Sequence, residues 1–287
     1  TRFHCWKGSG HGNINLHESL KQSCDCYYYE VAQRVGIDAI SAMAQRLGIG
    51  VRHDVPMSAV AQGLAPNREW KRSVRGQDWR VGDTVNASIG QGDVLASPLQ
   101  LAIMTARLAT GRNIEPRLIH TIDGIEQPIT GGESLGLNEN YLRRLRPSMF
   151  DVSNHQRGTA YRSRITLDEA RMAGKTGTSQ VRRITPEERA RGVTSNEDLP
   201  WERRDHALWV NFAPFEMPRY AVSVIVEHGG GGSAAAAPIG RDITLQSLYD
   251  GPPPLEAYPA DVRARIADQQ ERIQNRVAAG GTAKTRA

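Results

Sequence analysis

Ala173-Gly-Lys-Thr-Gly-Thr-Ser-Gln-Val181 is the stretch on which the reading of this 287-residue chain turns. Its composition suits a short strand. Lys175-Thr176-Gly177 superficially suggests a phosphate loop. Such a loop needs a glycine spaced four residues upstream of Gly174 and a strand-to-helix turn, and this stretch offers neither. On a strand, the Lys175 ammonium and the Thr176 hydroxyl can hold a carboxylate between them. Gly177 lets a second backbone approach the strand edge. Of 36 basic residues only five are Lys, and Lys175 is the one in a predicted strand with Thr and Gly directly after it. The plain alternative is a chance tripeptide with a surface lysine.

Two more β-type segments follow, His206–Pro214 and Arg219–His228. Four glycines at 229–232 then precede an Ala-rich helix ending near Tyr249. Upstream, helical spacing predicts a helix over 16–23, capped by Asn15 and interrupted at Ser23-Cys24-Asp25. Further helices are predicted over Tyr27–Val35, Asp38–Leu47, Pro98–Leu108 and 138–153, with a strand near Arg117–Ile122 and loops over 1–14 and 50–67. Helices first and strands last give an α+β domain whose helices cover an antiparallel sheet. The domain is expected over 1–250. Residues 251–287 read as a flexible, loosely attached tail with a transient helix at 260–278.

Composition narrows the function classes. Apolar residues at 39% and charged residues at 23% are ordinary for a globular chain, and no run of 18 apolar residues exists. The net charge of +5 is mild and interspersed with acids, which argues against nucleic-acid binding. The opening Thr-Arg-Phe-His lacks a leader, so any targeting or anchoring segment is expected to lie outside the chain. There is no Gly-x-Ser-x-Gly elbow, and His17-Glu18 lacks the following His of a zinc-protease helix.

Ser23-Cys24-Asp25 lies between two predicted helices. A hydroxyl there can relay a proton and a carboxylate oxygen can orient an amide, although helix capping explains the tripeptide equally well. Three longer stretches occur in order: Leu20-Lys-Gln-Ser-Cys-Asp-Cys-Tyr-Tyr-Tyr-Glu-Val-Ala, Ile89-Gly-Gln-Gly-Asp-Val-Leu-Ala-Ser-Pro-Leu-Gln-Leu-Ala, and the Lys-Thr-Gly strand itself. Together they closely resemble the transpeptidase domain of class B penicillin-binding proteins of the elongation machinery, from about residue 3 to 250. Val226-Glu-His-Gly-Gly-Gly-Gly-Ser is similar to that family's last strand and the start of its last helix.

The resemblance implies the penicillin-binding transpeptidase and serine β-lactamase-like fold, incomplete at its N-terminus. It implies a D,D-transpeptidase or carboxypeptidase that cross-links peptidoglycan stem peptides at the periplasmic face of the inner membrane and is acylated by β-lactam antibiotics. Ser23 and Asp25 take the family's Ser-x-Asn position, with Asp replacing Asn. Lys175, Thr176, Gly177 and Thr178 bind substrate, and Thr178 N–H serves as an oxyanion donor. Implied partners are a membrane glycan polymerase and shape-determining proteins. One departure is decisive. The family's nucleophile lies in Ser-x-x-Lys, yet the residues three before the five lysines are His4, Glu18, Arg68, Met172 and Gly281. The nucleophile, pedestal and membrane anchor are therefore expected outside this chain. A catalytically inactive scaffold and a serine β-lactamase relative are the alternatives.

Cys5, His11 and Cys24 have ligand types suited to tetrahedral zinc. The resemblance supports this reading, because some relatives hold zinc beside the Ser-x-Asn motif through carboxylates, a His and a Cys. A fourth ligand is expected from Cys26, His4 or a residue before position 1. Idle thiols or a disulfide among the three cysteines are the other readings.

Overall fold

A computed structural model describes residues 3–278. Helix α1 spans Leu16–Lys21, and its Asn15 cap accepts the Glu18 N–H at 2.9 Å. Helices α2 (Asp25–Val35) and α3 (Ile37–Arg46) are split by Gly36, whose φ of +83° an L side chain rarely adopts. Next come α4 (Arg68–Arg75), α5 (Val81–Ala87) and α6 (Pro98–Thr110). Ser97 and Gln100 form a capping box at the start of α6, and Gly111 closes it in the left-handed conformation.

Strand β1 (Arg112–Ile114) pairs antiparallel with β4 (Gly131–Ser134) around the small hairpin β2 (Thr121–Ile122) and β3 (Ile125–Glu126). After α7 (Glu139–Asn154) come β5 (Ala173–Ser179), α8 (Pro186–Arg191), β6 (His206–Ala213), β7 (Tyr220–Val226), α9 (Ala237–Leu248) and α10 (Arg263–Ala278).

The principal sheet has the order β5-β6-β7, antiparallel throughout, with Lys175 opposite Val210 and Thr176 opposite Trp209. Alternation along β6 separates two cores. Ala207, Trp209 and Ala213 bury with Val224 of β7 and with Ala237 and Leu245 of α9. Phe212 and Ala173 bury with Ala109 of α6 and Met149 of α7. Asn211 lies within the α9-side core, and its polar atoms are satisfied there. Trp209 Nε1–H donates to Asn211 Oδ1 at 2.8 Å, and Asn211 Nδ2 donates to Thr244 Oγ1 at 2.8 Å. The α+β class expected from the sequence is therefore the observed one, with helices on both faces of an antiparallel sheet.

Three expectations need correction. The strand expected over Arg117–Ile122 is mostly loop; only Thr121–Ile122 pairs, as one side of a two-residue hairpin. Helices α4, α5 and α8 fall where no helix was predicted. Part of the segment expected to be a loose tail is packed, since Ala257, Tyr258 and Ile266 are buried in the α9-side core. Their burial exceeds what a run opening Pro-Pro-Pro signals, because the contacts are to residues far away in sequence. Residues 279–287 of that tail lie outside the described residues.

Candidate active site

The first feature of the site is a contact between residues 152 apart in sequence. The Lys175 ammonium donates to Ser23 Oγ. It also donates to the Thr176 carbonyl at 2.9 Å and lies 3.5 Å from Thr176 Oγ1. Ser23 occupies the short connection between α1 and α2 at φ +54°, a conformation costly for a residue with a Cβ. Helix α1 is anchored to α7, which flanks β5: His17 Nε2 lies 2.8 Å from Asp151 Oδ2. The Ser23 loop and the Lys175 strand thus meet through elements that brace each other.

Burial lowers the Lys175 pKa to about 8, with the nearby Asp25 carboxylate opposing the shift. A lysine near that value stays largely cationic at neutral pH, and its charge acts in a partly dehydrated setting. Asp25 opens α2, and its Oδ2 accepts the Trp6 backbone N–H at 2.8 Å. The Trp6 indole N–H donates to the Ser23 carbonyl at 2.7 Å. Trp6 therefore pins both ends of the Ser23-Cys24-Asp25 loop while its side chain remains largely exposed.

On β5 the outward-facing groups can be assigned from the ladder. In an antiparallel strand, the N–H and C=O of one residue point to the same side, and the side alternates with each residue. The Thr178 carbonyl accepts Gln91 Nε2–H at 2.8 Å, away from β6. Thr178 N–H therefore also points to the open edge of β5, where a developing oxyanion could be met. Gly177 sits against β6, and a Cβ there would come within 3.2 Å of Leu208 Cβ. The site residues expected from the sequence, Ser23, Asp25, Lys175, Thr176, Gly177 and Thr178, thus fall in one region. Trp6 and Gln91 belong there too, and the sequence reading missed both roles. Gln91 lies inside a quoted stretch, but nothing in its spacing marks it as a brace. Trp6 has no periodic or motif signal at all.

Beside this region, ligand atoms of Cys5, His11 and Cys24 all lie within 4.8 Å of one another, and Cys5 Sγ is 3.4 Å from His11 Nδ1. Zinc bonds of about 2.0–2.3 Å place tetrahedral ligand atoms about 3.4–3.8 Å apart, so this cluster needs only a small contraction to hold the ion. Burial and Lys7 lower the His11 pKa, with Asp25 opposing, which favours the neutral imidazole, the form that ligates. Burial raises the Cys24 thiol, so a metal must displace its proton. All three cysteines are free thiols in this conformation. The group includes neither Cys26 nor His4, so among the described residues it supplies three ligands.

The family model described as the penicillin binding protein transpeptidase domain matches residues 1–245. The peptidoglycan D,D-transpeptidase MrdA of Acinetobacter baumannii is 38% identical over 244 residues, covering 82% of this chain and 35% of that protein. Two solved structures are similar. One is Pseudomonas aeruginosa PBP2 in complex with WCK 5153, with a TM-score of 0.74 and 36% identity over 86% of this chain and 52% of that one. The other is Helicobacter pylori PBP2 in complex with MreC, with a TM-score of 0.71 and 34% identity over 86% of this chain and 42% of that one. The chain spans between a third and a half the length of the curated relatives it matches.

Proposed function

The chain belongs to the penicillin-binding protein transpeptidase family, and from that premise we propose that it forms the carboxylate-binding half of a peptidoglycan D,D-transpeptidase. The observation that carries the reading is the Lys175 ammonium on Ser23 Oγ. A cation held on a hydroxyl, with Thr176 adjoining and the Thr178 N–H at an open strand edge, suits a substrate with a terminal carboxylate next to a reacting amide. Peptidoglycan stem peptides ending in D-Ala-D-Ala have that chemistry, and so do β-lactams.

The serine nucleophile comes from a Ser-x-x-Lys segment not among these 287 residues. Its Oγ attacks the penultimate D-alanine carbonyl, and the negative charge on the carbonyl oxygen is met by Thr178 N–H. The C–N bond breaks, and the proton given up by the attacking serine hydroxyl passes through Ser23, whose hydroxyl Lys175 polarises, to the amine of the departing terminal D-alanine. Lys175 and Thr176 hold the terminal carboxylate. Asp25 orients the donor peptide. An amine of a second stem peptide then attacks the acyl-serine ester, forming the cross-link and freeing the serine.

Cys5, His11 and Cys24 would hold a zinc ion. Its chemistry is structural: tethering Cys24 fixes the loop between Ser23 and Asp25. The periplasmic face of the inner membrane is the place for this reaction, with a membrane glycan polymerase and a shape-determining protein of the MreC kind as partners. No described helix is long and apolar enough to cross a membrane. The test is mass spectrometry of the full-length protein after reaction with a penicillin. The expected result is one acyl adduct on a serine outside these 287 residues. An adduct on Ser23 overturns its role as relay, and no adduct at all favours an inactive scaffold.

A further inference from the structure

The loop between α7 and β5 brings a hydroxyl to the substrate-binding threonine from outside every motif of the site. Thr159 Oγ1 lies 2.8 Å from Thr176 Oγ1. The loop is held on two sides: Thr159 N–H donates to the Lys21 carbonyl at the end of α1, at 3.3 Å, and Ala160 N–H donates to the Val152 carbonyl in α7 at 2.9 Å. Gly158 fits only because it lacks a side chain, since a Cβ there would lie 2.2 Å from the Asp151 carbonyl oxygen. Thr159 is therefore fixed by backbone bonds to the same helix, α1, that delivers Ser23.

A hydroxyl has one proton to donate. To bind a carboxylate, Thr176 must point its proton at the ligand, which leaves its own oxygen free to accept. Thr159 stands at hydrogen-bonding distance from that oxygen and can supply the proton. We infer that Thr159 is a positioning residue that donates to Thr176 Oγ1, orients the Thr176 proton toward the substrate carboxylate, and ties that orientation to the α1 end carrying Ser23. This inference rests on the assignment of Thr176 to carboxylate binding proposed above. In the reverse arrangement Thr176 donates to Thr159 and presents only lone pairs to an anion.

The experiment compares acylation of the full-length protein by a penicillin and by its methyl ester, in wild type and in Thr159→Val, Thr159→Ser and Thr176→Val. Valine keeps the shape of threonine and removes the hydroxyl. The expected result is that preference for the free acid over the ester falls about tenfold in Thr159→Val, as it does in Thr176→Val, and is restored in Thr159→Ser. A merely structural role would slow both compounds alike and leave their ratio unchanged. If Thr176→Val loses the preference and Thr159→Val keeps it, the inference fails while the site reading beneath it stands. If neither variant changes the preference, the assignment of Thr176 fails and the inference fails with it. A melting temperature for each variant separates both cases from misfolding, and Thr159→Ser provides the folded comparison.

Discussion

Replacing Lys175 with alanine separates catalysis from folding at the centre of the proposed site. The ammonium makes one hydrogen bond to Ser23 Oγ and one of 2.9 Å to the Thr176 carbonyl, and both are lost. Both come from an ionised donor, and such bonds contribute about 1.5–3 kcal/mol each. Opposing that loss, burial disfavours the charged form enough to lower its pKa to about 8, and alanine relieves this cost. Strand β5 keeps its pairing with β6 from Ala173 through Ser179 in either protein. The two effects largely offset, and the expected change in unfolding free energy is modest, about 1–2 kcal/mol. Acylation loses a charge-assisted carboxylate contact of about 1.5–3 kcal/mol, or roughly 10- to 150-fold in rate. The assay is the second-order acylation rate of the full-length protein with a fluorescent penicillin, alongside thermal unfolding. Acylation within about twofold of wild type, or a rate loss matched by unfolding, would refute the role given to Lys175.

The depressed pKa of Lys175 gives a pH signature: the cation is lost as pH rises through about 8 instead of above 10, so acylation by a free-acid penicillin should fall across that range. The decline should be absent in Lys175→Ala, and a wild-type profile flat to pH 10 contradicts it. Full-length protein purified without chelator should carry near-stoichiometric zinc by elemental analysis, lost in Cys24→Ser; no metal together with a Cys5–Cys24 disulfide rules the site out. Trp6→Ala removes the indole donor to the Ser23 carbonyl from a largely exposed residue and keeps the backbone donor to Asp25. Acylation should therefore fall roughly 5- to 10-fold with little change in melting. Gly174→Ala places a Cβ 2.4 Å from the Val210 carbonyl oxygen and 2.5 Å from the Trp209 ring, and should destabilise the fold by about 1–3 kcal/mol in a denaturant titration.

The strands β5, β6 and β7 were legible to within two residues, because β6 and β7 carry the short apolar runs, rich in β-branched and aromatic residues, of strands covered on both faces. The helix from Glu139 to Asn154 was also read correctly despite Pro147, since its apolar face packs on the sheet and outweighs the lost N–H. Helix α4, Arg-Glu-Trp-Lys-Arg-Ser-Val-Arg, escaped notice because its charged residues mask the pattern. What fixes it is local: Asn67 accepts the Trp70 N–H, and buried Lys71 pairs with Asp83 of α5. For the site, the motifs supplied residue types, while the meeting of Ser23 with Lys175 follows from how α1 packs on α7 and α7 on β5. The bracing roles of Trp6, Gln91 and Thr159 are purely tertiary. Each acts through a single hydrogen bond or two to a distant residue, and such contacts leave no periodicity to read.

The most direct test of the site is a crystal structure of the full-length protein acylated by a penicillin. The antibiotic's carboxylate is expected within about 3 Å of Thr176 Oγ1, on the side where Lys175 presents its ammonium, with the acyl carbonyl oxygen within the same distance of Thr178 N–H. A covalent adduct whose carboxylate lies away from Lys175 and Thr176, or whose carbonyl oxygen leaves Thr178 N–H unused, contradicts the assignment of this strand edge to substrate binding.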